Sequence, residues 1–414
     1  MTAVEVFIEV RGRTRLAGRA DFTRTRGNVS TTFRYDAGYL ADRASITIDP
    51  SLMLVEGAQH VTGLLPAFAD TAPDRWGRNL IDKAERLRAR EAGRRPRTLD
   101  DLDYLLEVSD NTRQGALRFR PVGTDRFVGA DSTVPTQVAL PHLLHASDQV
   151  DAGGDSAIAV KELLETGTTG LGGARPKASV MLDGATLAIA KFPHASDRWD
   201  VMAWEATALD AMSDAGVTVP PHRLVRVGDR SVLLLQRFDR GADGRRIPYI
   251  SAMTATRSKD GDHRDYVDIL DAMRDIAASP RRAAVELFDR VVGYVALGNT
   301  DDHLRNHGFL ADGNAWSLSP VFDVNPNPDL AKARSTSIAG ATTIDNEAEG
   351  LLALAQDAGL ALEQARERIG RVVGALEGWR DIARRHEISS REIAMMADAI
   401  ELRLEAVGRV GGSS

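Results

Sequence analysis

The chain opens on alternating apolar and polar residues. Apolar side chains recur at every second position from Val4 to Val10, which predicts a strand with one buried face. Further patterns predict two strands and two helices, near 31–35, 44–49, 74–92 and 100–108. Residues 1–145 are therefore predicted to form a β-rich α+β unit.

A second group of elements follows a small, Gly-rich stretch, VDAGGDSA at 150–157, which predicts a junction. Two apolar runs then flank Asp183-Gly184, a dipeptide typical of a β-hairpin turn. A helix over 199–215 and two strands, HRLVRV and SVLLLQRF, come next. We expect residues 146–240 to form a small antiparallel sheet that carries one helix.

Beyond Asp239 the apolar spacing becomes that of helices. Five helices are predicted, at 265–278, 281–298, 348–357, 361–386 and 390–407. Only the run WSLSPVF at 316–322 has the pattern of a strand. Residues 241–414 are thus predicted as a helical lobe, and the fold class as α+β.

Composition excludes several classes of protein. The hydrophobic share of 43% and the charged share of 27% are those of a soluble folded chain. No run reaches the roughly 18 apolar residues that a membrane span needs. The absence of cysteine excludes disulfides, zinc-thiolate sites and thiol nucleophiles. With a start that reads as a strand rather than a signal peptide, these features indicate a bacterial-type cytoplasm.

The net charge of −7 predicts no general attraction for nucleic acid. One local exception is ERLRAREAGRRPR at 85–97, where six arginines crowd together. Two interpretations stay open: a solvated helix face with a polar linker, or a patch that docks phosphate or a partner.

The segment NTDDHLRNHGFL at 299–310 is densely polar and follows a strongly apolar helix. Functional side chains are often held on a loop at the end of a rigid element. Asp301 and Asn306 stand five apart, which is the spacing of the base and the metal-binding amide in phosphotransferase loops. A carboxylate can take the proton of an attacking hydroxyl, while an amide oxygen is a hard ligand for magnesium.

Asp323 ends an apolar run in SPVFDVNP, shortly after that loop. By itself, an aspartate before Val-Asn-Pro is a turn former. Together with the upstream loop, it stands where a second magnesium carboxylate of a kinase would lie.

Lys191 lies among apolar residues on a predicted strand. It is either an edge lysine that reaches water or a phosphate-binding lysine, and the second interpretation predicts a glutamate on the next helix. Glu205 fits, and it shares a helix face with Met202 and Leu209, so its charge needs a partner. Lys191 is the expected partner, and a local pair on the helix is the alternative.

Glycines cluster before the hairpin, at Gly170, Gly172 and Gly173. A linker is one interpretation. Lys177 comes too late for a Walker A loop, and a strand rather than a helix follows. The interpretation that fits the hairpin is a loop that covers phosphates with backbone N–H groups.

A rival interpretation takes Asp301, His303 and His307 as a metal-hydrolase cluster, because two histidines four apart can share a helix face. The segment H-L-R-N-H lacks the glutamate of H-E-x-x-H. The metal-hydrolase interpretation also leaves Lys191 and Asp323 without a role.

Taken in order, these motifs resemble the HipA family of bacterial serine/threonine kinases, the toxins of type II toxin–antitoxin systems. The resemblance covers nearly the whole chain. It runs through FRYDAGYLAD, LLPAFADTAPDRWGRNLI, GARPKASV, AIAKFP, WEATALDAMSDAGVTVP, LLLQRFDR, NTDDHLRNHGFL and SPVFDVNP. It implies a two-lobed, protein-kinase-like domain after the N-terminal unit, with ATP and Mg²⁺ as cofactors.

The resemblance also implies roles for single residues. Asp301 would be the catalytic base, with Asn306 and Asp323 as magnesium ligands. Lys191 would bind the ATP phosphates, and Lys177 would lie near the same pocket.

Three further positions match the family. Gln236 and Phe238 look like the hinge that offers backbone groups to adenine. His303 matches the family's histidine in the catalytic loop, where we expect it to shape the loop rather than to react.

The chain departs from the family pattern at two places. Many members carry an autophosphorylated serine in the glycine-rich loop, and the matching position here is Gly170, with Thr168 and Thr169 as the nearest hydroxyls. Phosphorylation of either threonine would act as an off switch, and the alternative is that these threonines only support a turn. The stretch YISAMTATRSKDG also differs, which leaves the substrate open.

The family implies a HipB-like helix-turn-helix antitoxin as partner, with DNA bound only through it, and no membrane. A protein substrate is implied as well, typically an aminoacyl-tRNA synthetase. Two alternatives stay open: a kinase of another protein or small molecule without a toxin role, and an inactive co-repressor module. The presence of Asp301, Asn306 and Asp323 argues against the second alternative.

Overall fold

The structure is a computed structural model that describes residues 2–25, 28–130, 134–151, 156–165, 173, 175–259 and 261–412. Among these residues the strands are β1 (Thr2–Val10), β2 (Arg13–Thr25), β3 (Asn28–Tyr35), β4 (Gln59–Thr62), β5 (Leu117–Pro121), β6 (Lys177–Leu182), β7 (Thr186–Lys191), β8 (His222–Val227), β9 (Arg230–Gln236), β10 (Tyr249–Ser251), β11 (Arg264–Asp265), β12 (Gly308–Asp312), β13 (Ala315–Leu318) and β14 (Thr336–Ser337).

The α-helices of the same residues are α1 (Ala37–Ala41), α2 (Pro66–Ala69), α3 (Arg75–Glu91), α4 (Asp101–Glu107), α5 (Leu140–Asp151), α6 (Ala157–Glu165), α7 (Val201–Asp214), α8 (Ala252–Ala255), α9 (Tyr266–Ile276), α10 (Pro280–Ala296), α11 (Ile344–Asp357), α12 (Leu362–Leu376), α13 (Trp379–Arg385) and α14 (Ser390–Val410). Within the described residues, none of the helices has both the length and the apolar character that crossing a bilayer requires.

The chain forms two compact units. Unit 1 comprises Met1–Ser196, Val227–Ile250 and Leu310–Asn314. Unit 2 comprises Asp197–Arg226, Ser251–Phe309 and Ala315–Ser414.

A five-stranded antiparallel sheet, in the order β4-β3-β2-β1-β5, begins unit 1. Its first strand buries every second side chain from Val4 to Val10, which confirms the predicted alternation. The aromatic ring of Phe68 on α2 packs against the rings of Phe22, Phe33 and Phe119 on three of the strands. The apolar face of the sheet is therefore covered by helical residues.

The prediction of a strand at 44–49 is wrong. Ile46 and Ile48 are buried, as the alternation requires, but their segment pairs with no strand. The hydroxyl of Tyr39 instead donates to the carbonyl of Ile46 at 2.8 Å and accepts its N–H at 3.2 Å, while Tyr35 accepts the N–H of Ile48 at 3.3 Å. Side chains thus satisfy backbone groups that a sheet would otherwise pair.

The predicted hairpin is confirmed in unit 1. Strands β6 and β7 pair antiparallel, and β7 also pairs with β9. The turn places Asp183 at φ +49° and Gly184 at φ +74°, the left-handed region that Asp and Gly tolerate.

Unit 2 is mainly helical. The structure confirms the helices predicted near 265–278, 281–298, 348–357 and 390–407, with small shifts at their ends. The single helix predicted over 361–386 is wrong, because α12 ends at Leu376 and α13 begins at Trp379, with Gly378 as its N-cap. Trp379 is buried with its ring centre 5.9 Å from that of Trp204 on α7. The apolar spacing that predicted a single helix therefore continues from α12 into α13.

The sequence pattern predicted only one strand beyond Asp239, whereas the described residues there form several. The predicted strand is present as β13. Strands β11 and β14 are two residues each and pair in parallel, Arg264 with Thr336 and Asp265 with Ser337. A strand of two residues is too short to show an alternating pattern in the sequence. The two strands are also more than 70 positions apart in the chain, so no local signal indicates that they pair.

The arginine-rich segment at 85–97 is largely neutralised by carboxylates of unit 1. Arg88 donates two hydrogen bonds of 2.9 Å to Glu107. Arg94 binds the buried Glu85 at 2.6 Å and 3.1 Å, and the backbone N–H of Arg97 donates to the same carboxylate. These pairs reduce the positive charge that a docking patch would offer, which favours the interpretation of a solvated helix face with a polar linker.

Candidate active site

The predicted catalytic loop follows the C-terminus of α10 in unit 2. Buried apolar residues fill α10, and the chain turns at Gly298, which has φ +71°. A side chain at Gly298 would be strained in this conformation and would come within 3.3 Å of the carbonyl oxygen of Asn327. The loop thus begins at a fixed backbone position.

Asp301 is the exposed member of this loop. Its side chain is 69% exposed, whereas Asn299, Thr300 and Asp302 are buried. The carboxylate of Asp301 lies 3.6 Å from Nζ of Lys332. The buried neighbours hold the loop in place, and the exposed carboxylate of Asp301 can still contact a substrate.

Asp302 anchors the loop from beneath. Its carboxylate accepts hydrogen bonds from the Tyr266 hydroxyl and from Nε2 of His307, the second at 2.7 Å. Burial alone would raise the pKa of Asp302, but the charge and hydrogen bond of His307 and the hydrogen bond of Tyr266 outweigh it, so the pKa lies below its ordinary value. The hydroxyl of Thr336 donates to the Asp302 carbonyl at 2.7 Å. The sequence analysis missed this cluster.

Asn306 is buried, and its Nδ2 lies 3.5 Å from the carbonyl oxygen of Asp301. His303 is the N-cap of the 3₁₀ turn Leu304–Asn306, and its carbonyl accepts the N–H of Asn306 at 2.8 Å. His303 thereby fixes the backbone that presents Asn306.

The metal-hydrolase interpretation fails on this geometry. His303 and His307 flank a 3₁₀ turn rather than sharing the face of an α-helix, and Nε2 of His307 is engaged with Asp302. Across the residues that the structure describes, no three His, Cys, Asp or Glu side chains form a group that could hold a metal ion.

Asp323 has a left-handed backbone. Its φ is +61°, a region that aspartate adopts more readily than most residues other than glycine. Its N–H donates to Oε1 of Glu205 at 3.1 Å, and its Oδ1 accepts Nδ2 of Asn325 at 3.2 Å. The N–H of Asn325 in turn donates to Oδ1 of Asn299 at 3.2 Å, which ties the Asp323 turn to the predicted catalytic loop.

Glu205 is fully buried on α7 and belongs to unit 2, whereas Lys191 belongs to unit 1. Within unit 2, Glu205 accepts the Asp323 N–H, a contact that the sequence did not indicate. The ion pair with Lys191 stays a prediction.

The residues present fit a magnesium ion by the chemistry of their donors. Asn306 offers an amide oxygen and Asp323 a carboxylate, both hard ligands. The Asn306 Nδ2 faces the Asp301 carbonyl, which turns the Oδ1 of the same amide away from it. Two protein oxygens with substrate phosphates form the kind of site that magnesium takes in phosphotransferases.

Two buried lysines lie side by side in unit 1. Lys177 on β6 and Lys191 on β7 are direct cross-strand partners and are 3% and 7% exposed. Directly opposed residues of an antiparallel pair project from the same face. The binding of nucleotide phosphates by this lysine pair stays a prediction.

Gly173 lies beside the first of these lysines. It has φ +102°, and a Cβ built on it would come within 2.4 Å of Nζ of Lys177. Gly170, Gly172, Thr168 and Thr169 lie outside the described residues. The structure thus brings one of the three predicted glycines to the lysine pair.

The predicted hinge residues flank the end of β9. Gln236 pairs with Ala188 of β7, and the N–H of Arg237 donates to the carbonyl of Leu187 at 3.0 Å. The rings of Phe238 and Tyr249 lie 6.2 Å apart. Contact with adenine stays a prediction for both Gln236 and Phe238.

The chain is similar in sequence to one curated protein. A protein of Sinorhizobium fredii (strain NBRC 101917 / NGR234) named "Putative kinase Y4mE" is 23% identical over 199 residues, which are 45% of this chain and 46% of that protein. The chain therefore matches about half the length of this curated relative.

In fold, the chain is similar to a chain in the structure of the Shewanella oneidensis MR-1 toxin–antitoxin system HipA, HipB and its operator DNA. The TM-score is 0.69, the sequence identity is 15%, and 99% of each chain is covered. This similarity of fold confirms the predicted mixed α+β class.

A family model described as "HipA-like C-terminal domain" matches residues 169–379. These residues include the lysine pair, Glu205, the loop with Asp301 and Asn306, and Asp323. Because the match spans half of the sequence, the chain belongs to the family of proteins with a HipA-like C-terminal domain.

Proposed function

We propose that the chain is an ATP- and Mg²⁺-dependent serine/threonine-protein kinase. The observation that carries this proposal is the geometry of Asp323, which is held in a left-handed backbone by the buried carboxylate of Glu205 and tied through Asn325 to the loop of Asp301. A base and two magnesium ligands on two connected turns are the parts that phosphoryl transfer requires.

In this mechanism Asp301 accepts the proton of the attacking hydroxyl. The hydroxyl oxygen bonds to the γ-phosphorus of ATP, the bond from that phosphorus to the β,γ-bridging oxygen breaks, and ADP leaves with the electron pair. Asn306 and Asp323 would hold magnesium, which would supply positive charge to offset that of the phosphates. Lys191 and Lys177 would bind the remaining phosphate oxygens.

We further propose that the chain is the toxin of a toxin–antitoxin pair with a HipB-like antitoxin, acting on a translation-related protein such as an aminoacyl-tRNA synthetase. The family and the similarity in fold to a chain from the HipA, HipB and operator DNA structure support this assignment. The alternatives are a kinase of another protein or small molecule without a toxin role, and an inactive co-repressor module.

The test is transfer of ³²P from γ-labelled ATP to protein. Purified chain is incubated with Mg²⁺, labelled ATP and extract proteins, beside the Asp301→Asn and Asp323→Asn variants. Asp381→Asn is the matched control, because Asp381 is an exposed aspartate of the same unit that pairs with Arg384 on its own helix α13. We expect label with wild type and the control alone. Equal labelling by Asp301→Asn would refute Asp301 as base, and no labelling by any form would refute the kinase.

A further inference from the structure

A segment distant in sequence lies along the predicted catalytic loop. Residues 334–336 of unit 2 bind residues 299–302 by three successive hydrogen bonds. These are Arg334 Nη2 to the Asn299 carbonyl at 3.0 Å, Ser335 N–H to the Thr300 carbonyl at 3.0 Å, and Thr336 Oγ1 to the Asp302 carbonyl at 2.7 Å. The two segments therefore have a fixed register.

The segment is also anchored on its far side. The Ser337 hydroxyl and the N–H groups of Ala339 and Gly340 all donate to the carboxylate of Asp265, at 2.5 Å to 3.0 Å. Arg334 is buried and binds Glu347 at 3.1 Å. The residues before and after Ser335 in the chain are thus held in place by hydrogen bonds.

This register places the Ser335 hydroxyl at the carboxylate of Asp301. Ser335 is exposed, and its Oγ lies 3.4 Å from Oδ1 of Asp301, as a donor facing an acceptor. The distance is long for a hydrogen bond, but contacts between nucleophile and base are often long without substrate. The neighbouring Thr336 differs, because its hydroxyl is buried and bound to a backbone carbonyl. Ser335 is therefore the hydroxyl of this segment that can meet both the base and an incoming phosphoryl group.

We propose that Ser335 is an internal phosphoacceptor of this active site. The inference rests on the proposed kinase function. The Ser335 oxygen forms a bond to the γ-phosphorus of ATP, Asp301 takes the hydroxyl proton, and ADP leaves with the electrons of the broken phosphorus–oxygen bond.

The product would change the site electrically. A phosphoserine carries about 1.5 to 2 negative charges at neutral pH. At position 335 it lies beside Oδ1 of Asp301, and Nζ of Lys332 lies 3.6 Å from the same oxygen. Lys332 would pair with the phosphate, and the phosphate would cover the base, so that an external hydroxyl could no longer reach it.

The experiment is mapping of phosphate by mass spectrometry after incubation with ATP and Mg²⁺, together with transfer to an external protein before and after that incubation. We expect phosphate on Ser335, none on Thr336, and a several-fold fall in external transfer as the Ser335 phosphate accumulates. Ser335→Ala should show no such fall relative to its own starting rate. Ser390→Ala, which removes an exposed hydroxyl at the start of α14, should behave like wild type.

A mixture of wild type with a size-tagged Asp301→Asn chain separates internal from intermolecular transfer. The proposal predicts phosphate on Ser335 of wild type only, and phosphate on Ser335 of the Asp301→Asn chain overturns it. If external transfer occurs but Ser335 stays unmodified, the inference is wrong and the kinase function stands. If no acceptor of any kind is labelled, both are wrong.

Discussion

The backbone N–H of Asp323 donates a hydrogen bond of 3.1 Å to the buried carboxylate of Glu205, 118 residues earlier in the chain. One carboxylate therefore holds the predicted metal ligand and is also the predicted partner of Lys191. The first role needs only an oxygen acceptor, whereas the second needs a negative charge. Two substitutions can separate the roles.

Glu205→Ala should impair both roles, because it removes the acceptor of the Asp323 N–H and also the negative charge that is predicted to pair with Lys191. Removing the partner of a buried backbone group costs about 1–3 kcal/mol. We expect a lower free energy of unfolding in urea, a higher Mg²⁺ requirement and a higher KM for ATP.

Glu205→Gln is the matched variant, since a glutamine oxygen can still accept the N–H. It should keep the Mg²⁺ requirement of wild type while raising the KM for ATP, because the charge that is predicted to pair with Lys191 is lost. A Mg²⁺ requirement raised equally in both variants would mean that the hydrogen bond to Asp323 does not position the metal ligand.

The buried Asp302 should make the fold sensitive to acid. The pKa of Asp302 is depressed in the folded chain, so its contribution is present above the unfolded value of about 3.9 and is lost as pH falls through the folded value. Tyr266→Phe removes one donor to this carboxylate and should cost about 1.5–3 kcal/mol at neutral pH. The pH of half-unfolding, followed by circular dichroism, should rise.

Tyr294→Phe is the control, because Tyr294 is also buried and its ring also contacts that of His307. Its acid midpoint should stay close to that of wild type. A rise in the pH of half-unfolding as large as that of Tyr266→Phe would mean that the effect comes from aromatic packing rather than from the Asp302 hydrogen bond.

The sequence predicted the parts of the site that depend on local spacing. Asp301 and Asn306 are five residues apart on one loop, and Asp323 follows a short strand, so a single pattern contains all three. The hairpin that pairs Lys177 with Lys191 was equally local, since Asp183-Gly184 determines it.

What the sequence could not predict depends on contacts between distant residues. The sequence assigns no role to Asp302, and only the approach of Tyr266 reveals it as a buried anchor. Ser335 lies 34 positions after Asp301, in a segment with no periodicity. Glu205 was predicted to need a partner because its helix face is apolar, but the pattern could not distinguish a backbone N–H from a lysine.

A second carboxylate of unit 2, Asp210, should make stability fall at high pH. His222 and His386 bind it through Nε2 at 3.1 Å and 2.8 Å. Burial lowers the pKa of His222, but the hydrogen bond to Asp210 and that to the Pro220 carbonyl outweigh it and raise the pKa overall. Stability from a raised histidine pKa is complete below the unfolded value of about 6.5 and is lost as pH rises through the folded value.

The hydrogen bonds of His222 and His386 depress the pKa of Asp210, so its own contribution is lost only in acid, below about 3.9. Urea unfolding of wild type and Asp210→Asn at pH 5.5 and pH 8.5 checks the sign. The difference between the two proteins should be larger at pH 5.5. An equal difference at both pH values would mean that His222 is not charged in the folded chain.

The paired lysines of unit 1 give the last prediction. If Lys177 and Lys191 bind nucleotide phosphates, as proposed, ATP should stabilise the folded chain. A ligand that binds only the folded chain stabilises it by RT ln(1 + [L]/Kd), which is about 2.7 kcal/mol at a hundredfold excess over Kd. Wild type should therefore show a higher melting temperature with ATP, and Lys191→Met should lose most of this increase. Lys161→Met, which removes an exposed lysine of α6 in the same unit, should retain it. An increase with ATP that survives in Lys191→Met would place the phosphates elsewhere and would remove the lysine pair from the proposed site.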